Sequence, residues 1–170
     1  LCLALDFDKL LLRGLPGLAE DVRARRKRAE EDGDDLAFCD GLLVALDVVA
    51  DVCRHYARQA RVLESAATTD DARCRMAAIA ADLDALVERP PRSLREAIQL
   101  LWLYNLLASA KHLEGPRLDV ALGDFYARDL HSGALTEEAA LEQILGLWRL
   151  FHENGEAAVC RIVVGGVELR

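Results

Sequence analysis

The stretch that most constrains the fold of this chain is the run from Ala97 to Ala110, which contains no charged residue. Pro90 and Pro91 precede it, and proline interrupts regular structure because it lacks a backbone N–H. Ser93 then lies three residues before Glu96, which is the spacing of a capping box at a helix start. The run is shorter than the roughly 20 apolar residues that a membrane span needs. It therefore predicts a core helix that is buried on nearly every face.

Helical patterns flank this central stretch on both sides. Five further helices are predicted: one that restarts near Leu18 after Gly14, Pro16 and Gly17, then 36–66, 71–88, 118–130, and one that starts at Thr136. Two of them carry long apolar stripes that we expect to be buried. In 36–66 the stripe is Cys39, Leu42, Leu43, Leu46, Val49, Ala50, Cys53, Ala57, Ala60 and Leu63; in the last helix it is Ala140, Leu141, Ile144, Leu145, Trp148 and Phe151.

The β-branched run from Val159 to Val164 is the one good strand candidate. We therefore expect a mainly α fold with one or two short strands. The expected organisation is a single segment over residues 1–170, helical over 6–153 and with a strand element over 158–166. The chain starts at Leu1 rather than Met, so we expect it to be part of a longer protein.

Charge and cysteine usage exclude several function classes. The net charge of −8 argues against a general nucleic-acid binder, which needs an excess of basic groups. The five cysteines are widely spaced and form neither a CxxC pair nor a secreted-type framework, so a reducing cytoplasm is expected. The residues indicate no metal site and no phosphate loop, and no membrane span is predicted.

Two local features allow a functional and a structural interpretation. The basic run RARRKR, residues 23–28, is either an anionic-ligand patch or a solvated helix face paired with Glu30 and Glu31; the acidic total favours the second. Cys53 and His55 are either a thiol–imidazole pair or unrelated side chains, and two residues apart on a helix they point to different faces. On the residues alone, no enzyme is inferred.

Several ordered segments resemble the glycyl radical enzymes, the pyruvate formate-lyase-like family. Residues 90–107, PPRSLREAIQLLWLYNLL, are similar to that family's PPRTFxEALQxxWFxxLxL. Residues 117–126 have the spacing of its GRxDQYLYPFY, with Arg117, Asp119, Leu122, Phe125 and Tyr126 matching. Weaker matches are residues 6–15 to PDFxKLLxxGLxGI, 129–139 to KDLxxGxLTxEEA, 147–150 to LWxK, and 160–166 to a strand that ends in GG.

The resemblance implies an N-terminal portion of a larger α/β barrel of the glycyl radical enzyme type. The parent would cleave C–C or C–X bonds through a glycyl radical that an activating enzyme installs with S-adenosylmethionine. It implies as partners the remainder of the parent, the activating enzyme and a second copy in a homodimer. The family's catalytic cysteine and glycyl-loop motifs match nothing in this chain, so no catalytic, cofactor-binding or metal-binding residue is assigned. The alternative is a non-catalytic helical bundle-like binding protein or remnant.

Departures from the family pattern bear on one candidate residue. The polar segment expected before Arg117 is shortened to residues 111–116, and Val120 and Asp124 replace the usual Gln and Pro. Arg117 is a weak candidate for binding a substrate carboxylate, a task that suits a guanidinium, but the shortened segment leaves little room for a substrate wall. The preferred interpretation is structural: Arg117 and Asp119 form a buried pair that anchors the start of a short helix.

Overall fold

The computed structural model describes residues 6–108, 113–154, 160–163 and 165. Its elements in chain order are α1 (Phe7–Asp32), α2 (Ala37–Ala66), α3 (Asp70–Glu88), α4 (Leu94–Ala108), β1 (Leu113–Arg117), α5 (Leu118–His131), α6 (Glu137–Glu153) and β2 (Cys160–Val163). They divide into two compact units, Leu12–Pro91 and the rest of the chain. The mainly α fold is confirmed.

The unit Leu12–Pro91 is a helical unit in which α2 and α3 pack as an antiparallel hairpin. Small side chains line the contact: Cys53 and Ala57 on α2 are fully buried, and Ala80 on α3 is nearly so. Thr69 caps α3 by accepting the N–H of Ala72 at 3.2 Å, as its position before the apolar pattern predicts. An exposed ion pair between Arg61 and Asp84 links the two helices.

Gly14 is the point where α1 departs from helical geometry, with φ of 62° and ψ of −177°. The chain becomes helical again directly after it, so the predicted restart near Leu18 is placed too late. Pro16 lies in the first turn of the new helix, where its missing N–H costs nothing. A Cβ at Gly14 would lie 2.7 Å from the Cα of Pro90, so the kink also depends on this close backbone approach.

The second unit is organised around α4, which packs against α5 and α6. Its core includes Leu100 and Leu101, both fully buried, and an edge-to-face contact joins Trp102 of α4 to Phe151 of α6 with ring centroids 5.3 Å apart. Phe7, in the part of α1 that belongs to this unit, makes a similar contact with Tyr104 at 6.3 Å. The prediction of a buried central helix is confirmed over Leu94–Ala108. Residues 109–112, where the sequence places its end, lie outside the described residues.

The strands β1 and β2 pair in parallel, with Leu113 opposite Cys160 and Arg117 opposite Val163. Strand β1 was not predicted: Gly115 and Pro116 within it indicate a turn when read locally, and only pairing with a strand 43 or more residues away makes this segment extended. Of the predicted strand element 158–166, residues 160–163 are β2, and the remainder except Gly165 lies outside the described residues.

The predicted apolar stripes are wider than the faces that the structure buries. On α2, Leu42 is 38% exposed and Leu63 is 57% exposed. The shorter α3 does not reach the N-terminal end of α2 near Leu42, and Leu63 lies about a sixth of a turn beyond the buried Ala60. On α6, Ala140 and Leu147 are buried while Leu141, Leu145 and Trp148 are exposed. Their side of α6 is therefore partly open to solvent.

Candidate functional site

The sequence candidate Arg117 lies at the junction of β1 and α5. Its guanidinium holds the carboxylate of Asp119 bidentately: Nη2 donates to Oδ2 at 2.6 Å and Nε donates to Oδ1 at 3.3 Å. The predicted pairing of the two residues is therefore present. The prediction that the pair is buried is wrong, because the side chains are 30% and 33% exposed. The pair lies at the end of a short strand, where solvent reaches both groups.

Electrostatics at this junction favour the ionised carboxylate. The hydrogen bond from Arg117 is the largest cause that holds the pKa of Asp119 below its ordinary value of 3.8. The backbone N–H of Gly165 contributes in the same direction. Gly165 has a positive φ of 77°, a conformation that glycine adopts at little cost. The junction thus joins two segments of the family resemblance, the one around Asp119 and the one that ends in Gly165.

What the pair can do chemically follows from the donors that it occupies. A guanidinium has five N–H donors, and Asp119 takes two of them. The side chain of Arg117 is 30% exposed, so solvent reaches part of the guanidinium while the bidentate contact with Asp119 fixes its orientation. Because the side chains of residues 113–116 lie outside the described residues, the structure tests neither the substrate-binding nor the anchoring interpretation of Arg117.

A second cluster fixes the start of α4 and was not predicted in full. The capping box is present: Ser93 Oγ accepts the N–H of Glu96 at 3.2 Å, and Glu96 Oε2 accepts the N–H of Arg92 at 2.6 Å. In addition, Asp129 on α5 accepts the N–H of Leu94 at 2.7 Å. Asp129 is 8% exposed, so this hydrogen bond is shielded from water.

Arg128, the neighbour of Asp129, makes a further contact with the residues that precede α4. Arg128 Nη2 donates to the carbonyl of Arg92 at 2.6 Å, and its guanidinium lies 5.0 Å from the ring centroid of Phe125. In the sequence, this cluster is indicated only by the match of residues 129–139 to the family pattern. That match assigned no role to Asp129. Only the fold brings the carboxylate to the helix start 35 residues earlier in the chain.

The structure separates the side chains of the thiol–imidazole alternative. Cys53 is fully buried whereas His55 is exposed beside Tyr56, with ring centroids 5.4 Å apart. Burial raises the pKa of the Cys53 thiol to about 11, so at neutral pH it is a packed, protonated side chain rather than a nucleophile.

Two of the five basic side chains in the run of residues 23–28 form ion pairs within their own unit. Arg26 donates to Asp40 at 2.6 Å and lies 3.6 Å from Glu30, and Lys27 lies 3.9 Å from Glu31. The hydrogen bond and charge of Asp40 raise the pKa of Arg26 further above its already high value. These contacts favour the solvated helix face over the anionic-ligand patch.

The described residues contain neither a cluster of metal ligands nor a membrane-spanning helix. No three His, Cys, Asp or Glu side chains come together in a way that could hold a metal ion. No described helix is both long enough and apolar enough to cross a membrane.

His131 and His152 lie in the last turns of α5 and α6, where a positive group is favoured by the helix dipole.

Comparison with known proteins identifies the family. The model of the pyruvate formate lyase-like family matches residues 3–158. The "Probable dehydratase YbiW" of Escherichia coli (strain K12) is 28% identical over 155 residues, which are 86% of this chain and 19% of that protein. Trans-4-hydroxy-L-proline dehydratase of Clostridioides difficile is 25% identical over 157 residues, 86% of this chain and 20% of that protein.

A solved structure has the same fold over nearly the whole chain. The crystal structure of a glycyl radical enzyme from Archaeoglobus fulgidus superposes with a TM-score of 0.79 at 22% identity, and the match covers 99% of this chain and 22% of that one. The chain thus spans about a fifth of the length of the relatives it matches. With its ordered motifs, its fold and the family match over residues 3–158 in agreement, this chain belongs to the pyruvate formate lyase-like family.

Proposed function

We propose that this chain is the helical entry region of a glycyl radical enzyme that removes water, or another small leaving group, from a small hydroxylated substrate. The observation that carries the proposal is the similarity to two proteins named as dehydratases, at 28% and 25% identity. A lyase or acyltransferase reaction of the same family is the alternative within this proposal. The whole protein's activity is proposed because the chain spans about a fifth of those relatives.

In such an enzyme, a glycyl radical installed by an S-adenosylmethionine-dependent activating enzyme supplies a hydrogen-abstracting centre when present. The cysteines whose surroundings the structure describes do not suit that chemistry. Cys74 is exposed to solvent, where a thiyl radical would be quenched, and neither of the buried cysteines, Cys39 and Cys53, lies in a segment that matches the family's catalytic-cysteine motif. We therefore assign this chain a scaffolding role, with the reacting centres elsewhere in the parent and the parent in a reducing cytoplasm.

Two features support packing within a larger α/β barrel. The parallel strands β1 and β2 are joined through α5 and α6, and parallel strands joined by helices are the unit from which such barrels are built. The exposed side of α6 with Leu141, Leu145 and Trp148 presents apolar surface of the kind that a larger body covers. The single-segment organisation over residues 1–170 remains part of this proposal.

For Arg117 we propose an anchoring role. The guanidinium orients Asp119, which in turn receives the N–H of Gly165, so the pair ties the start of α5 to the chain after β2. Holding a substrate carboxylate is the second candidate, favoured by the exposed edge of the guanidinium.

The test uses a longer polypeptide that carries this sequence, produced anaerobically with an activating enzyme and S-adenosylmethionine. We expect a glycyl-radical doublet in its electron paramagnetic resonance spectrum. We also expect loss of water from one member of a panel of small hydroxylated compounds that includes trans-4-hydroxy-L-proline. The 170-residue chain alone should give no doublet.

Three outcomes separate the alternatives. A doublet from the 170-residue chain would place the radical glycine within it and contradict the scaffolding role. A doublet from the longer protein with bond cleavage other than loss of water would replace the dehydratase proposal with a lyase or acyltransferase. No doublet from any longer polypeptide would favour the non-catalytic helical protein.

A further inference from the structure

Two breaks in helical backbone lie against each other at the ends of the unit Leu12–Pro91. Near the start of the unit, Gly14 interrupts α1 with φ of 62° and ψ of −177°. Residues 89–93, between α3 and α4, are also non-helical and include Pro90 and Pro91. A Cβ at Gly14 would lie 2.7 Å from the Cα of Pro90, so the two breaks are in close backbone contact. The chain therefore enters and leaves this unit at one place, the neck formed by Gly14 and Pro90.

Contacts within the unit Leu12–Pro91 join its three helices to one another. An ion pair at 2.6 Å joins Arg26 of α1 to Asp40 of α2, and the ion pair between Arg61 and Asp84 joins α2 to α3. Several side chains of α2 and α3 are at most 4% exposed and form the core of the hairpin. They are Cys53, Ala57, Ala60, Ala80, Leu83 and Leu86. Each helix of the unit therefore has a partner inside the unit.

The second unit is discontinuous in sequence, because Leu12–Pro91 is inserted between its two segments. Contacts outside Leu12–Pro91 join those segments. Phe7, before the neck, contacts Tyr104, after it, with ring centroids 6.3 Å apart. Asp129 accepts the N–H of Leu94 at 2.7 Å, which fixes α5 to the start of α4. This unit is therefore also closed by contacts among its own residues.

We propose that Leu12–Pro91 is an inserted helical module that opens and refolds as its own cooperative unit, with the neck as its boundary. Helix stability propagates residue by residue through continuous backbone hydrogen bonding. At the neck both connections interrupt it, because Gly14 has non-helical dihedrals and Pro90 has no N–H to donate. Opening of the module therefore stops at the neck, as expected for a unit of local unfolding that coincides with a supersecondary motif. The Arg117–Asp119 junction stays folded while the module opens.

The experiment is hydrogen exchange of the 170-residue chain, read by mass spectrometry of peptides from α2 and α3 and from α4 and α5. Leu83→Ala and Leu101→Ala make the same truncation at buried positions, one in each unit. Leu83→Ala should speed exchange of the slowest α2 and α3 amides about 30-fold or more, and exchange in α4 and α5 by less than about twofold. Leu101→Ala should give the reverse pattern. Leu63→Ala, at a 57% exposed position of α2, is the matched control and should change neither set by more than about threefold.

A second measurement follows the Arg117–Asp119 junction directly. The carboxyl titration of Asp119 should have the same midpoint in Leu83→Ala as in the wild-type chain, because the junction lies outside the module. A shifted midpoint contradicts the proposal.

Three exchange results would also overturn the proposal. If Leu83→Ala speeds exchange in α4 and α5 as much as in α2 and α3, or unfolds the whole chain, the two units form one cooperative structure. Equal acceleration of both sets by Leu101→Ala leads to the same conclusion. Exchange of α2 and α3 at unfolded rates in the wild-type chain would mean that the module is not stable through its own contacts.

Discussion

The backbone N–H of Leu94 donates a 2.7 Å hydrogen bond to the carboxylate of Asp129, which lies 35 residues later in the chain. The first N–H groups of a helix have no partner within the helix, and a negative charge at that end is favoured by the dipole. In this chain the partner is supplied by a different helix. The hydrogen bond therefore fixes α5 to the start of α4 as well as capping α4.

Replacing Asp129 should show how much of the folding stability depends on this hydrogen bond. Asp129→Ala leaves a shielded N–H without its acceptor, and we expect the free energy of unfolding to fall by about 1–3 kcal/mol. Asp129→Asn keeps an acceptor oxygen but loses the charge and should cost less. The measurement is urea unfolding, with the exposed Asp124→Ala on the same helix as the control. If Asp124→Ala lowers the stability by the same amount, the hydrogen bond between Leu94 and Asp129 does not explain the effect.

Gly14 should tolerate no side chain. Its φ of 62° and ψ of −177° fall in a region that is essentially restricted to glycine, and a Cβ would meet Pro90 at 2.7 Å. We expect Gly14→Ala to destabilise the chain by about 1–3 kcal/mol from the backbone alone, and by more from the overlap. A Cβ at Gly123, inside α5, meets nothing within 4 Å, so Gly123→Ala should instead stabilise by about 0.5–1 kcal/mol. Thermal unfolding of both variants checks the opposite signs.

The pairing of Asp119 with Arg117 predicts a pH effect of defined sign. Because the folded-state pKa of Asp119 lies below its ordinary value of 3.8, the pair stabilises the fold above that pH. The contribution is lost as the pH falls through the lowered pKa. In Arg117→Ala the pKa of Asp119 should return towards 3.8, which a carboxyl NMR titration can measure. An unchanged titration midpoint would mean that the contact is absent in solution.

The two roles of Arg117 make different predictions in the longer parent enzyme. For an anchor that is a third exposed, Arg117→Ala should lower the melting temperature modestly, and substrate affinity should follow stability. If Arg117→Ala leaves the melting temperature unchanged while abolishing substrate binding, the carboxylate-binding role is correct. Arg117→Lys is the matched control, since an ammonium keeps the charge but not the bidentate geometry.

Thiol reactivity should follow burial in the unit Leu12–Pro91. With a thiol pKa of about 11, Cys53 should resist alkylation at neutral pH, and Cys39 should resist it through burial. The exposed Cys74 should react at once. Because the Cys53 pKa is raised by folding from 9.0, stability should be lost as the pH rises from about 9 towards 11, where only the unfolded thiol ionises. Mass spectrometry of alkylated peptides, with and without denaturant, measures this order.

The sequence by itself determined the helices and their starts. Thr69, Ser93 and Thr136 each precede an apolar pattern and cap α3, α4 and α6, because a cap involves residues two or three positions apart and is therefore visible locally. The run without charged residues likewise predicted α4, because a helix that is apolar on nearly every face is stable when it is buried. The ordered motifs determined the family for the same reason: they are patterns along the chain.

Tertiary structure decided the features that depend on distant partners. Strand β1 contains Gly115 and Pro116 and is extended because β2 pairs with it. Asp129 caps α4 only because α5 folds back onto it. The sequence shows which residues form the apolar stripes of α2 and α6. Which of those residues are buried depends on the length and position of the neighbouring helix. Periodicity records which side chains share a face of a helix; the presence, length and position of a neighbour decide whether that face is removed from water.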